Sequence, residues 1–141
     1  MFWLINEKDV VTMRVPFPSI SSTLAVQAHM YICLKSGNDK EFLKCQTFKP
    51  AHMVAHKPPY NYIKETPDIS RNPFNYITTI DCDKAFCVSN VTVSPDLLAR
   101  SRKNVSSELF TEIQGKIQSN SYLKEQLDSN SLAQINQKIS V

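Results

Sequence analysis

The stretch "AHMYICLKSGNDKEFLKCQTF", residues 28–48, contains two β-like segments separated by a polar turn. Aromatic, β-branched and other apolar residues are frequent in both segments, and this composition favours strands. The intervening "SGND" has the small and polar residues that form tight turns between paired strands. We therefore predict a hairpin in which His29, Tyr31 and Cys33 share one face of the sheet.

The same strand character extends over most of the first hundred residues. It covers segments 9–15, 24–35, 41–48, 76–81 and 85–93. Short strands leave exposed edges unless the sheet closes or nearly closes, so we predict a mainly β domain built as a small barrel. The connection from Pro50 to Asn75 is rich in proline and aromatic residues, and connections of this length usually carry function.

The apolar period changes after residue 104. The segment "NVSSELFTEIQGKIQSN" places Leu109, Ile113 and Ile117 on one helical face, and Ser106 precedes the segment as an N-cap. The tail that follows repeats a helical spacing and is rich in Ser, Asn and Gln, which predicts either a loosely packed helix pair or a partner-docking arm. We expect a barrel with its closing helix over residues 1–118 and a helical tail over residues 119–141.

Size and composition indicate one ordinary globular domain. The chain has 141 residues, of which 42% are hydrophobic and 21% are charged. The start "MFWLINEKDVV" is too short in apolar residues for a signal sequence, so a cytoplasmic location without membrane association is expected. The four cysteines contain no CxxC pair, which favours buried thiols over a zinc site or a disulfide.

The net charge of +3 is mild, but its distribution is uneven. Six lysines lie between Lys35 and Lys64, opposed only by Asp39 and Glu41, and "ARSRK" adds a second basic cluster. Such a run is either a solvated face or a surface for a polyanion.

His52 and His56 stand four residues apart, the spacing that zinc-binding helices use. No HExxH glutamate lies between them and no third ligand is evident, so we expect no metal and no other cofactor. Their alternative interpretation is as exposed loop histidines.

A phosphate site needs cationic donors and a group that exchanges a proton near neutral pH. When RNA is cleaved by its own 2′-hydroxyl, neither a metal nor a protein nucleophile is required. Arg14, His29, Thr47 and Lys49 lie in or beside predicted strands and could supply these groups. The alternative for His29 is a hydrogen-bonded structural histidine.

Several segments in order resemble the MazF/PemK (Kid-like) toxins of bacterial toxin–antitoxin pairs. They are listed here in chain order: "KDVVTMRVPFP", a serine-rich loop, "AHMYICLK", "FLKCQTFKP", "ITTIDCDKAF" and "VSSELFTEIQGKI". The resemblance covers roughly residues 5 to 118. It implies an SH3-like β-barrel of the CcdB/MazF type, a homodimer, and metal-independent cleavage of single-stranded RNA that a cognate antitoxin inhibits.

Carried over by position, Thr47 matches the family's active-site threonine, and residues 19–23 match the loop that covers the RNA channel. Met30 stands where the family has the arginine of an "RP" pair, and Lys8 replaces a glycine. Either His29, Arg14 or Arg71 takes over the role of the missing arginine, or the protein binds without cutting.

Two functional hypotheses follow. The first is an endoribonuclease with His29, Thr47 and Arg14 as catalytic residues. Its predicted RNA-binding residues are Lys44, Lys49, His52, His56, Lys57 and Arg71. The second is a non-catalytic SH3-like barrel that binds nucleic acid or a protein partner.

Overall fold

The computed structural model describes residues 5–16, 27–50, 58–118 and 122–141. Its strands are β1 (Val10–Met13), β2 (His29–Cys33), β3 (Asp39–Thr47), β4 (Tyr62–Glu65), β5 (Thr78–Ser89), β6 (Thr92–Val93), β7 (Leu123–Gln126) and β8 (Ile139–Ser140). Its α-helices are α1 (Ser107–Lys116) and α2 (Ser129–Ile135). A single turn of 3-10 helix spans Pro95–Leu97.

The main sheet is mixed and has the order β1-β2-β3-β5-β4, with β7 added in parallel to β5. The predicted hairpin is confirmed, since β2 and β3 pair antiparallel with Met30 opposite Cys45. Within the described residues the sheet does not close into a barrel. A separate two-stranded sheet pairs β6 with β8. The prediction of a mainly β fold with C-terminal helices is therefore confirmed.

β1 is not left as a bare edge. The Val10 N–H donates to the carbonyl of Lys103 at 2.8 Å, and the Ala99 N–H donates to the carbonyl of Val10 at 2.9 Å. The segment from Leu98 to Asn104 thus covers the outer side of β1 through isolated bridges.

Strand alternation divides the apolar residues between two cores. The first core lies between the sheet and α1 and contains Val10, Ile32, Leu43, Cys45, Ile80, Leu109, Phe110 and Ile113. The second lies on the other face and contains Val11, Tyr31, Cys33, Phe42, Val88, Leu127, Leu132 and Ile139. Consecutive residues of β1, β2 and β3 therefore face opposite cores, as a period of two requires.

α1 confirms the predicted helix and its cap. The Ser106 side chain accepts a hydrogen bond from the Leu109 N–H at 3.1 Å. Leu109, Phe110 and Ile113 are its buried residues.

The tail differs from the predicted helix pair, because its first half is the strand β7 and only its second half is helical. β7 pairs with β5 between Lys84 and Cys87, where backbone groups of β5 are available for pairing. Leu127 and Leu132 are 3% and 0% exposed, so the tail completes the second core.

Candidate functional site

His29 and Thr47 line one cavity, of about 240 Å³, at the edge of the main sheet. Its described lining is Ala28, His29, Met30, Cys45, Gln46, Thr47, Phe74, Asn75, Tyr76 and Thr78. The predicted proximity of His29 and Thr47 has a simple origin. β2 begins at His29 and β3 ends at Thr47, and the two strands are antiparallel neighbours.

The two side chains approach the cavity from different faces of the sheet. His29 alternates with Met30 and so belongs to the face of Tyr31, whereas Thr47 belongs to the face of Cys45. A ligand that touches both groups has to lie across the strand ends, where the two faces meet.

The His29 imidazole is partly buried, and its surroundings favour the neutral form. Desolvation by burial is the largest cause that lowers its pKa below 6.5, and the positive charges of Lys44 and Lys49 lower it further. Gln27 Nε2 lies 3.4 Å from His29 Nε2. A neutral imidazole near pH 7 can accept a proton, so the geometry suits a base better than a fixed cation.

Lysines surround this edge of the sheet on the His29 face. Burial lowers the pKa of Lys44, which also interacts with the nearby charges of Asp81, Lys84 and Lys49. Lys64 Nζ lies 4.3 Å from the centre of the Phe48 ring.

The run of lysines from 35 to 64 does not form one surface. Lys40 is 1% exposed. Its ammonium group donates to the carbonyl of Gly37 at 2.6 Å and to that of Val91 at 3.4 Å. Lys40 therefore stabilises the turn between β2 and β3, a role that sequence spacing could not show.

Arg14 lies just after β1 and does not line the cavity. Its backbone N–H donates to Asn136 Oδ1 at 2.8 Å, and Asn136 Nδ2 donates to its carbonyl at 2.7 Å. Arg14 lines a neighbouring cavity that shares Ala28 with the first.

Arg71 lies among carboxylates beside α1. Its Nε donates to Glu65 at 2.7 Å, and its terminal nitrogens contact Glu108 and Glu112. The guanidinium of Arg71 is thus engaged in ion pairs within the protein.

The other sequence-predicted residues lie outside the described ranges. These are the loop residues 19–23, His52, His56 and Lys57. Among the residues that are described, no three His, Cys, Asp or Glu side chains are placed to hold a metal ion.

Sequence reasoning missed the third side of the cavity. Phe74 and Asn75 come from the long connection before β5, Tyr76 follows them, and Thr78 begins the strand. The aromatic character of that connection was the available signal, but it did not show which ring would meet β2 and β3.

Comparisons with protein-family models, with curated proteins and with solved structures returned no match to this chain. Over the described ranges, the helices are too short or too polar to span a membrane.

Proposed function

We propose that this chain is a metal-independent endoribonuclease that cleaves single-stranded RNA. The observation that carries the proposal is the shared cavity of His29 and Thr47, with Lys44 and Lys49 near the imidazole. It joins a proton acceptor, a hydroxyl donor and positive charge at one edge of the sheet. These are the groups that transfer of a phosphoryl group to an internal hydroxyl requires.

The reaction follows from these groups. His29 takes the proton from a 2′-hydroxyl of the RNA, and the 2′-oxygen attacks the adjacent phosphorus. The bond from phosphorus to the 5′-oxygen breaks, and that oxygen takes a proton from solvent. Thr47 donates its hydroxyl hydrogen to a phosphate oxygen. The products are a 2′,3′-cyclic phosphate and a 5′-hydroxyl end.

The resemblance to MazF/PemK toxins supplies the rest of this proposal. It includes an SH3-like barrel, a homodimer in a bacterial cytoplasm, and an antitoxin protein that occupies the RNA site. The order of the segments between residues 5 and 118 supports it. An antitoxin suited to the lysine-lined edge would carry acidic side chains.

The second candidate is a barrel that binds nucleic acid or a protein partner without cutting. One observation favours it: the described lining of the cavity contains no lysine or arginine. With the pKa of His29 lowered, no permanent cation in that lining faces the charge that spreads over the phosphate in the transition state.

Incubation with a long single-stranded RNA in excess EDTA separates the two candidates. The endoribonuclease gives new 5′-hydroxyl ends in EDTA, and His29→Ala abolishes them. Tyr60→Ala, at an exposed residue outside the described cavity lining, is the control and cleaves like the wild type. RNA that is bound but intact would favour the second candidate.

A further inference from the structure

The cavity between β2, β3 and the start of β5 has an apolar floor and a polar rim. Met30, Cys45 and Phe74 form apolar lining, and Cys45 and Phe74 are only 3% and 7% exposed. Thr47 and Asn75 contribute a hydroxyl and an amide to the same lining.

Tyr76 is the most exposed of the large hydrophobic side chains described, at 69%, and it also lines this cavity. Aromatic rings normally bury most of their surface, so a ring left open beside a cavity marks a contact surface.

The backbone that carries this ring is fixed on both sides. Thr78 Oγ1 donates to the carbonyl of Tyr76 at 2.8 Å. The Phe48 N–H donates to the carbonyl of Ile77 at 2.8 Å, which ties the segment to the end of β3. The Tyr76 ring is thus presented from an anchored backbone, so little ordering of the main chain is needed when a ligand stacks on it.

A nucleobase matches this arrangement, because it has flat apolar faces and a polar edge. An aromatic ring can stack on its face, and an amide such as that of Asn75 can both donate to and accept from its edge. The volume of about 240 Å³ lies below the roughly 300–1,000 Å³ of pockets for drug-sized ligands, which suits a single base.

We propose that this cavity is a base-binding subsite, in which one unpaired base stacks on Tyr76 and its edge faces Asn75. This rests on the proposed function, because it takes single-stranded RNA as the ligand. It adds a residue that positions the RNA chain relative to His29 and Thr47. The lysines of the same edge hold the backbone phosphates, and the stacked ring fixes the register of the chain.

The test measures binding apart from cleavage. The probe is a 2′-O-methyl uridine hexanucleotide with one 2-aminopurine, moved through the six positions; it has no 2′-hydroxyl to react. Uridines stack weakly on their neighbours, so quenching of 2-aminopurine on binding reports an aromatic ring of the protein. We expect wild-type protein to quench the probe at one or two positions.

Three variants decide which ring is responsible. We expect Tyr76→Ala to lose the quenching and to weaken binding by about 5- to 100-fold, the range seen for loss of one stacked base. Tyr76→Phe keeps the ring and retains both signals. The matched control is Tyr60→Ala, which removes a tyrosine that is 63% exposed but lies outside the cavity lining, and it behaves as wild type.

The outcomes separate this subsite from the proposed cleavage. Quenching that depends on Tyr76 supports the subsite even if long RNA stays intact in EDTA, a result that would remove the endoribonuclease alone. Normal quenching and affinity in Tyr76→Ala would overturn the subsite even if the protein cleaves RNA. No binding by the wild type would overturn the subsite together with RNA binding. Light scattering in which Tyr76→Ala changes the oligomeric state would instead place the ring in a subunit contact, which also overturns the proposal.

Discussion

Replacing Arg71 with methionine should destabilise the protein without weakening RNA binding. Its Nε donates to Glu65 at 2.7 Å, and the Glu65 side chain is only 7% exposed. Methionine keeps much of the apolar length of the side chain but removes the positive charge. The variant therefore leaves a buried carboxylate without its ion-pair partner.

The expected cost follows from this burial. Removing one partner of a fully buried ion pair costs about 3–5 kcal/mol. Here the Arg71 side chain is 22% exposed, and Asn72 Nδ2 still donates to Glu65 at 2.6 Å. We therefore expect a loss of about 2 kcal/mol, equivalent to a fall of roughly 5–8 °C in Tm for a domain of this size.

Urea unfolding followed by circular dichroism measures this loss, and Glu112→Gln is the matched control. Glu112 pairs with the same guanidinium but is 53% exposed, so its loss should cost less than about 1 kcal/mol. Fluorescence anisotropy with a labelled RNA over a salt series then tests the predicted RNA contact. A true phosphate contact would lower the slope of log K against log salt by about 1. Unchanged stability together with a lower slope would refute the structural role of Arg71.

Three further variants test other parts of the structure. Lys44→Met removes a positive charge that lowers the pKa of His29, so the acid limb of the profile of kcat/KM against pH should move upward; a limb that stays in place would contradict His29 as the base. Lys49→Gln should weaken RNA binding more at low salt than at high salt, and an equal loss at both would show that its charge is not in the interface. Asn136→Ala removes both hydrogen bonds to the Arg14 backbone and should cost about 2 kcal/mol in urea unfolding, whereas an unchanged midpoint would show that the tail contributes little there.

The pKa of His29 also sets a dependence of stability on pH. The folded protein holds the imidazole with a pKa below its unfolded value of 6.5, so the unfolded chain binds the proton first as pH falls. Above 6.5 both states are neutral and this group has no effect. As pH falls through 6.5 towards the folded pKa, it progressively destabilises the protein.

Local signals predicted α1 and the hairpin of β2 and β3, because a cap, a helical period or a turn lies within a short segment. They did not predict β4, whose "YIKE" lacks a clear alternation and is stabilised by pairing with β5. They also favoured a helix where β7 forms. There the strand pairs with β5, and Lys124 forms an ion pair with Glu41 at 3.0 Å.

The same distinction applies to the candidate site. Adjacent antiparallel strands were enough to bring His29 and Thr47 to one edge. The roles of Lys40 and Arg71 depend on partners such as Val91 and Glu108, which are far away in sequence. Charge counted along the chain therefore overestimated the basic surface.

Cleavage of a long single-stranded RNA in excess EDTA tests the central claim most directly. We predict 2′,3′-cyclic phosphate and 5′-hydroxyl ends with the wild type. We expect the rate to fall at least about tenfold in each of the folded variants His29→Ala and Thr47→Ala. The double variant should lose much less than the product of the two effects, because both groups act on one phosphate. Full activity in both folded single variants, or intact RNA with the wild type, would contradict the account.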